Sequence, residues 1–235
     1  MSGWKAKRFW KTVTPESCEG GFTIRLDGRP VKTPAKAAFV LPNRAMAEAC
    51  AQEWEAQKGL IKPESMPMTR YANSAIDKVI PQMVEVVTIV AAYGETDLLC
   101  YRACDPEGLI ARQAAGWDPQ IDWAAKELGA SLRVVQGITP IAQAPESVAQ
   151  LRNHTAAMDA FRLAAFHDLV AITGSLILGF AMAKGRLTSE EAFDLSRVDE
   201  DWQAEFWGND AEAARTESVK KADLSAALRF FRYHG

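Results

Sequence analysis

Along residues 22–26, Phe22, Ile24 and Leu26 alternate with Thr23 and Arg25, the two-residue period of a strand with one buried face. Asp27-Gly28 follows, the kind of pair that a tight type I′ hairpin needs, because both central positions take positive φ. The return strand is predicted over 29–33, with Pro30 marking it as an edge. Short apolar runs at 8–13 and 38–41 supply the outer pieces of a small antiparallel meander, and the segment around Pro15, Glu19, Gly20 and Gly21 reads as loop.

From Pro42 the period becomes helical. Met46, Cys50 and Trp54 stand four apart on one face, and Lys58-Gly59 supplies the basic last turn and glycine of a helix stop. Pro63 and Pro67 interrupt the next stretch, so the boundary between two domains is expected near residues 60–68, giving 1–64 and 65–235. Ala72, Ala75, Ile76 and Val79 form the next helical stripe, cut by Pro81, which can open a helix over 82–93. Further helices are expected over 109–128, interrupted at Asp118-Pro119, and over 146–166. Residues 132–135 read as a short apolar piece. The run 169–183 carries no charge and predicts a helix at the centre of a bundle. Thr188-Ser189-Glu190-Glu191 has the form of a helix start, predicting a helix to Trp207 that stops at Gly208-Asn209, then a last one from Asp210 to about Phe231. The fold class is α+β: a small antiparallel β-rich N-terminal domain followed by a larger, mostly α-helical C-terminal domain.

The uncharged run is too short to span a bilayer, which needs ~20 apolar residues, and Arg162, His167 and Asp168 flank it. No membrane insertion is expected. The net charge of −3 over 235 residues lacks the basic excess of a nucleic-acid binder. Cys18, Cys50, Cys100 and Cys104 are too sparse for a disulfide scaffold, and MSGWKAKRFW has no apolar core of signal-peptide length. A reducing cytoplasm is the expected compartment.

Candidate chemistry is thin. A GxxxxGK phosphate loop is missing from the sequence. Cys100 and Cys104 have no partners at zinc-site spacing, so neither a metal nor a cofactor is expected. His167-Asp168 is a possible proton-transfer pair, although neighbours on a helix do not face each other. Ser175 lacks the strand–turn–helix setting of a nucleophile elbow. The densest polar cluster is Asp199-Glu200-Asp201 with Glu205. It reads either as a solvated face or, beside Trp202, as a surface for a basic, partly apolar partner. Asp201 and Glu205 share a face at i,i+4, where like charges repel mildly.

Taken in order, RFWK (8–11), GGFTIRLDGRPVKTPAK (20–36), EWEAQ (53–57), MPMTRYANSAID (66–77), YGETDLLCYRA (93–103), WDPQIDWA (117–124), TGSL (173–176) and DEDWQAEFWG (199–208) resemble the assembly-chaperone family of F-type ATP synthase. The resemblance covers nearly the whole chain. It implies a non-enzymatic protein, without cofactor, that holds the free alpha subunit until the beta subunit replaces it. It also implies a partner-binding role for Glu200 first, with Asp199, Asp201, Glu205 and Trp202 behind it. Trp202 and Trp207 could instead hold their helix in place, and Glu95 and Asp97 could satisfy backbone donors around Gly94. Starting almost directly at RFWK, the chain is expected to be a bacterial cytoplasmic member; organellar relatives work in the mitochondrial matrix. The competing reading is a small-molecule enzyme using Glu95/Asp97 or His167/Asp168.

Overall fold

Strand β1 (Val13–Cys18) pairs antiparallel with β2 (Gly21–Leu26), which pairs in turn with the two-residue β3 (Arg29–Pro30) in a three-stranded sheet. The computed structural model describes residues 7–208 and 211–233, apart from the side chains of Trp207 and Ala211. Asp27 and Gly28 take φ of 49° and 78°, the positive pair that a right-twisted hairpin requires. The first strand differs from expectation: it runs through Pro15 rather than ending before it, and residues 8–12 precede it. Because β1 is an edge strand, Pro15 interrupts no inner ladder. The run 38–41 contributes single bridges, Lys32 to Ala38 and Phe22 to Leu41.

Helix α1 (Arg44–Glu55) begins where the Asn43 side chain accepts the Met46 N–H, and it buries Met46 and Cys50 completely. Trp54 stacks edge-on against Trp10, ring centres 5.1 Å apart. Glu53 reaches the start of α2 (Pro67–Ser74), accepting the Met68 and Thr69 N–H groups at 2.7 and 2.8 Å and the Thr69 hydroxyl at 2.8 Å. A distant carboxylate thereby satisfies donors that a helix start leaves unpaired. Burial raises the Glu53 pKa against those hydrogen bonds. A π-helical turn, Ala75–Val79, continues α2, and a 3₁₀ turn over Ile80–Gln82 leads into α3 (Met83–Ala92).

The chain divides into two compact units, the first comprising residues up to Met83 with 160–165 and 229–235, the second 84–159 and 166–228. The second unit holds α4 (Glu107–Glu127), α5 (Pro145–Ala156), α7 (Leu176–Ala183), α8 (Ser189–Ser196) and α9 (Val198–Trp207), and shares α6 (Ala160–Thr173) and α10 (Ala211–Arg232) with the first. Its two-residue strands β4 (Tyr101–Arg102) and β5 (Val135–Gln136) pair in parallel. Among the described residues, no helix is long and apolar enough to cross a membrane.

Four helical expectations are corrected. Helix α4 passes through Pro119 unbroken. The stretch 146–166 is two helices, divided at 157–159, and the stretch from Thr188 to Trp207 is divided at Arg197. The uncharged run is also two helices: Gly174 takes φ 67°, and Ser175 caps α7 by accepting the Leu178 N–H. A glycine closing one helix and a serine opening the next make a sharp corner. Beyond it, Leu176 to Met182 are all buried, as expected for the centre of a bundle. Asn209 and Asp210, where the last helix boundary was expected, lie outside the described residues.

Candidate functional site

Helix α9 carries the acidic segment, with Asp199, Glu200 and Asp201 in its first turn, where the helix dipole favours negative charge. Three of the four expected acids are committed within the chain. Asp199, half-buried, accepts the Gln113 amide from α4 at 2.6 Å. Asp201 stands 3.3 Å from Arg197, which also lies 3.3 Å from Glu217 on α10. Glu205 receives both terminal nitrogens of Arg112 on α4, at 2.6 and 3.0 Å. That fork holds the Glu205 pKa below the usual carboxylate range and raises that of Arg112. The repulsion expected between Asp201 and Glu205 is met by a separate cation for each.

Glu200 differs. It is exposed, and among the described residues it makes no hydrogen bond or ion pair. With Arg197, Gln203, Ala204, Glu212 and Thr216 it lines a groove of about 580 Å³ along α9 and α10.

Trp202 faces α4. A Cβ at Gly108 would stand 2.6 Å from the far edge of its ring, so only glycine lets the indole lie against that helix. The Arg112 guanidinium covers the ring at 4.8 Å, a cation–π geometry. Phe206 packs 5.4 Å from it and stays 66% exposed. The Trp202 ring therefore positions α9, while the Trp207 side chain lies outside the described residues. Glycine at 108 was the sequence signal for this packing, but it lies on α4, with four helices between it and α9 in the chain, and was not legible without the fold.

The residues of the competing enzyme reading are arranged otherwise. Asp97 is 0% exposed, and it accepts the Leu99 N–H at 3.1 Å, the Ile177 N–H at 3.0 Å and the Ser175 hydroxyl at 2.8 Å. Burial pushes its pKa up to about 6 despite these donors. It joins the turn after α3 to the start of α7, while Glu95 is exposed. His167 and Asp168, adjacent on α6, meet after all at 2.9 Å, because their side chains lean toward one another. This bond raises the His167 pKa. Cys100 is buried and Cys104 exposed, and no three metal-ligating side chains converge among the described residues.

Comparison with known proteins agrees with this architecture. Residues 7–125 match the family model described as ATP12 chaperone protein. The mitochondrial protein atp12 of Schizosaccharomyces pombe is 28% identical over 236 residues, covering 94% of this chain and 81% of the relative. The crystal structure of Atp12 from Paracoccus denitrificans superposes with a TM-score of 0.94 at 48% identity, covering 97% of each chain, and an aspartate-to-lysine mutant of that protein does so equally. The matched segment, which spans half of the chain, together with these relatives aligned over nearly all of it, shows that this chain belongs to the ATP12 family of ATP synthase assembly chaperones.

Proposed function

We propose that this protein binds the free alpha subunit of the F-type ATP synthase and holds it until the beta subunit takes its place, making and breaking no covalent bond. The observation that carries the reading is the different state of Glu200. Its neighbours Asp199, Asp201 and Glu205 are tied down on α9, while Glu200 lines a groove and its carboxylate has no partner among the described residues. An exposed charge already held in place by a fixed helix loses little freedom when it meets a cation on a partner. The acids behind it set the helix position and add a negative field that favours a basic surface.

The physical need is general. A subunit of an obligate ring exposes an interface that resembles a core cut open, and large apolar patches aggregate. A partner that covers this surface lowers the concentration of sticky chain by mass action. Beta, carrying the more complementary surface, then displaces the chaperone. We place this activity in the cytoplasm of a bacterium.

The test is capture from separately purified subunits. The expected result is selective retention of alpha over beta, at least tenfold weakened by Glu200→Lys, with the melting temperature nearly unchanged. Equal capture by a folded Glu200→Lys chain removes Glu200 from the site, and capture of neither subunit overturns the reading.

A further inference from the structure

Strand β1 forms one edge of the three-stranded sheet, and its outer row of backbone groups is open. The Phe22 N–H and carbonyl bond to Leu41, and the Ile24 carbonyl accepts the Val31 N–H, all on the side of β2 away from β1. Main-chain direction alternates along a strand, so Thr23 and Arg25 are the residues that bond across to Glu16 and Thr14, their partners in register. The main-chain groups of Val13, Pro15 and Ser17 therefore face away from the sheet. Pro15 has no N–H to offer. The N–H groups of Val13 and Ser17 and the carbonyls of all three have no hydrogen-bond partner among the described residues.

Beside this row lies a shallow depression of about 290 Å³, lined by Val13 and Pro15 and by Glu48, Ala51, Gln52 and Glu55 of α1. Residues two apart share one face of a strand, and those four positions of α1 share one face of the helix. Glu48, Gln52 and Glu55 are exposed while Ala51 is buried, so the depression has a small apolar floor and an acidic, solvated rim. Glu55 is held by Arg8 at 2.9 Å. Glu48 stands 2.8 Å from Arg44 in an exposed pair, a weak kind of contact that exchanges readily for another cation.

We infer that the open edge of β1 binds an extended segment of the alpha subunit as a fourth strand, with a lysine or arginine of that segment laid over Val13, Pro15 and Ala51 and its charge beside Glu48. An unpaired row of donors and acceptors is complementary to one edge of an extended backbone, and a pocket beside it selects the side chain. Long cationic side chains bury their stems and keep their heads in water, which matches an apolar floor under an acidic rim. Proline on an edge weakens strand addition; Pro15 withholds one donor and leaves the rest of the row in place. It also counts against a second copy of this chain as the occupant. Two β1 strands paired antiparallel about Pro15 would lose both central hydrogen bonds, whereas a segment of another chain loses one. Taking that segment from the alpha subunit rests on the function proposed above.

The experiment titrates the full chain into fluorescently labelled, overlapping 15-residue peptides tiling the alpha subunit and reads binding by anisotropy. One or a few peptides carrying a lysine or arginine are expected to bind. N-methylation of the peptide backbone at alternate residues, those facing β1, should weaken binding at least tenfold, while methylation at the residues between them leaves it nearly unchanged. Glu48→Lys should weaken the same peptides severalfold, Pro15→Thr should tighten them by restoring the missing donor, and Glu200→Lys should bind them normally. If no peptide binds while intact alpha is still captured, the edge assignment falls and the proposed function stands; if alpha is not captured either, both fall. Equal loss at both sets of methylated positions, unchanged affinity in both Glu48→Lys and Pro15→Thr, or dimerisation of the free chain that the peptide reverses also overturns the assignment.

Discussion

Asp97 and Glu200 are carboxylates of the same helical unit in opposite surroundings. Asp97 is wholly enclosed and receives three hydrogen bonds from the segments it joins. Glu200 stands exposed at the first turn of α9, with no partner among the described residues. Burial makes the first group part of the fold, because donors stranded around a missing acceptor have no water to turn to. Exposure makes the second nearly irrelevant to stability, since a solvated charge contributes little to folding. The difference separates an acid that shapes the molecule from an acid available to another molecule.

The largest test of this contrast is Asp97→Leu, which strands two backbone N–H groups and the Ser175 hydroxyl. A loss of about 3–5 kcal/mol in urea unfolding is expected, and a loss under 1 kcal/mol would show that Asp97 is not a structural knot. The next is pH. The folded-state pKa of Asp97 lies above its ordinary value of 3.8, at about 6, so the folded chain binds this proton more tightly than the unfolded one. Its contribution is therefore complete below pH ~4 and lost as pH rises through ~6, on the order of 1–3 kcal/mol. Asp97→Asn should flatten this part of the stability profile measured from pH 4 to 7. Glu205, whose pKa is lowered by Arg112, acts with opposite sign, weakening the fold only as pH falls through the acidic end.

A smaller effect is expected from Thr188→Ala. Thr188 and Glu191 form a reciprocal capping box at the start of α8, and its loss should cost about 1 kcal/mol without changing alpha capture. Glu200→Lys completes the series, with a stability change within about 0.5 kcal/mol and the largest effect on capture.

Local signals were the most legible part of the sequence. Asp27-Gly28 specified its hairpin, and Thr188 with Glu191 specified a helix start, because in each the chemistry lies within four residues. Breaks set by tertiary packing were not. Gly174-Ser175 sits inside an uncharged run whose hydrophobicity hid a stop-and-start signal that the glycine–serine pair did carry. Pro119 read as a helix break, yet α4 continues through it. Pro15 read as loop because its strand proved to be an edge only once β2 lay beside it. The candidate site was half legible. The acidic cluster stood out by composition and family resemblance, but its division into committed acids and Glu200 depends on Gln113 and Arg112, 86 and 93 residues away.

The central claim is that alpha is released by replacement rather than by chemistry. Its most direct measurement begins with the purified complex of this protein with alpha and titrates in beta, following release by size-exclusion chromatography in buffer without hydrolysable nucleotide. Release that rises with beta concentration and saturates is the predicted result. A complex that stays intact at saturating beta, or comes apart only when ATP is turned over, would contradict it.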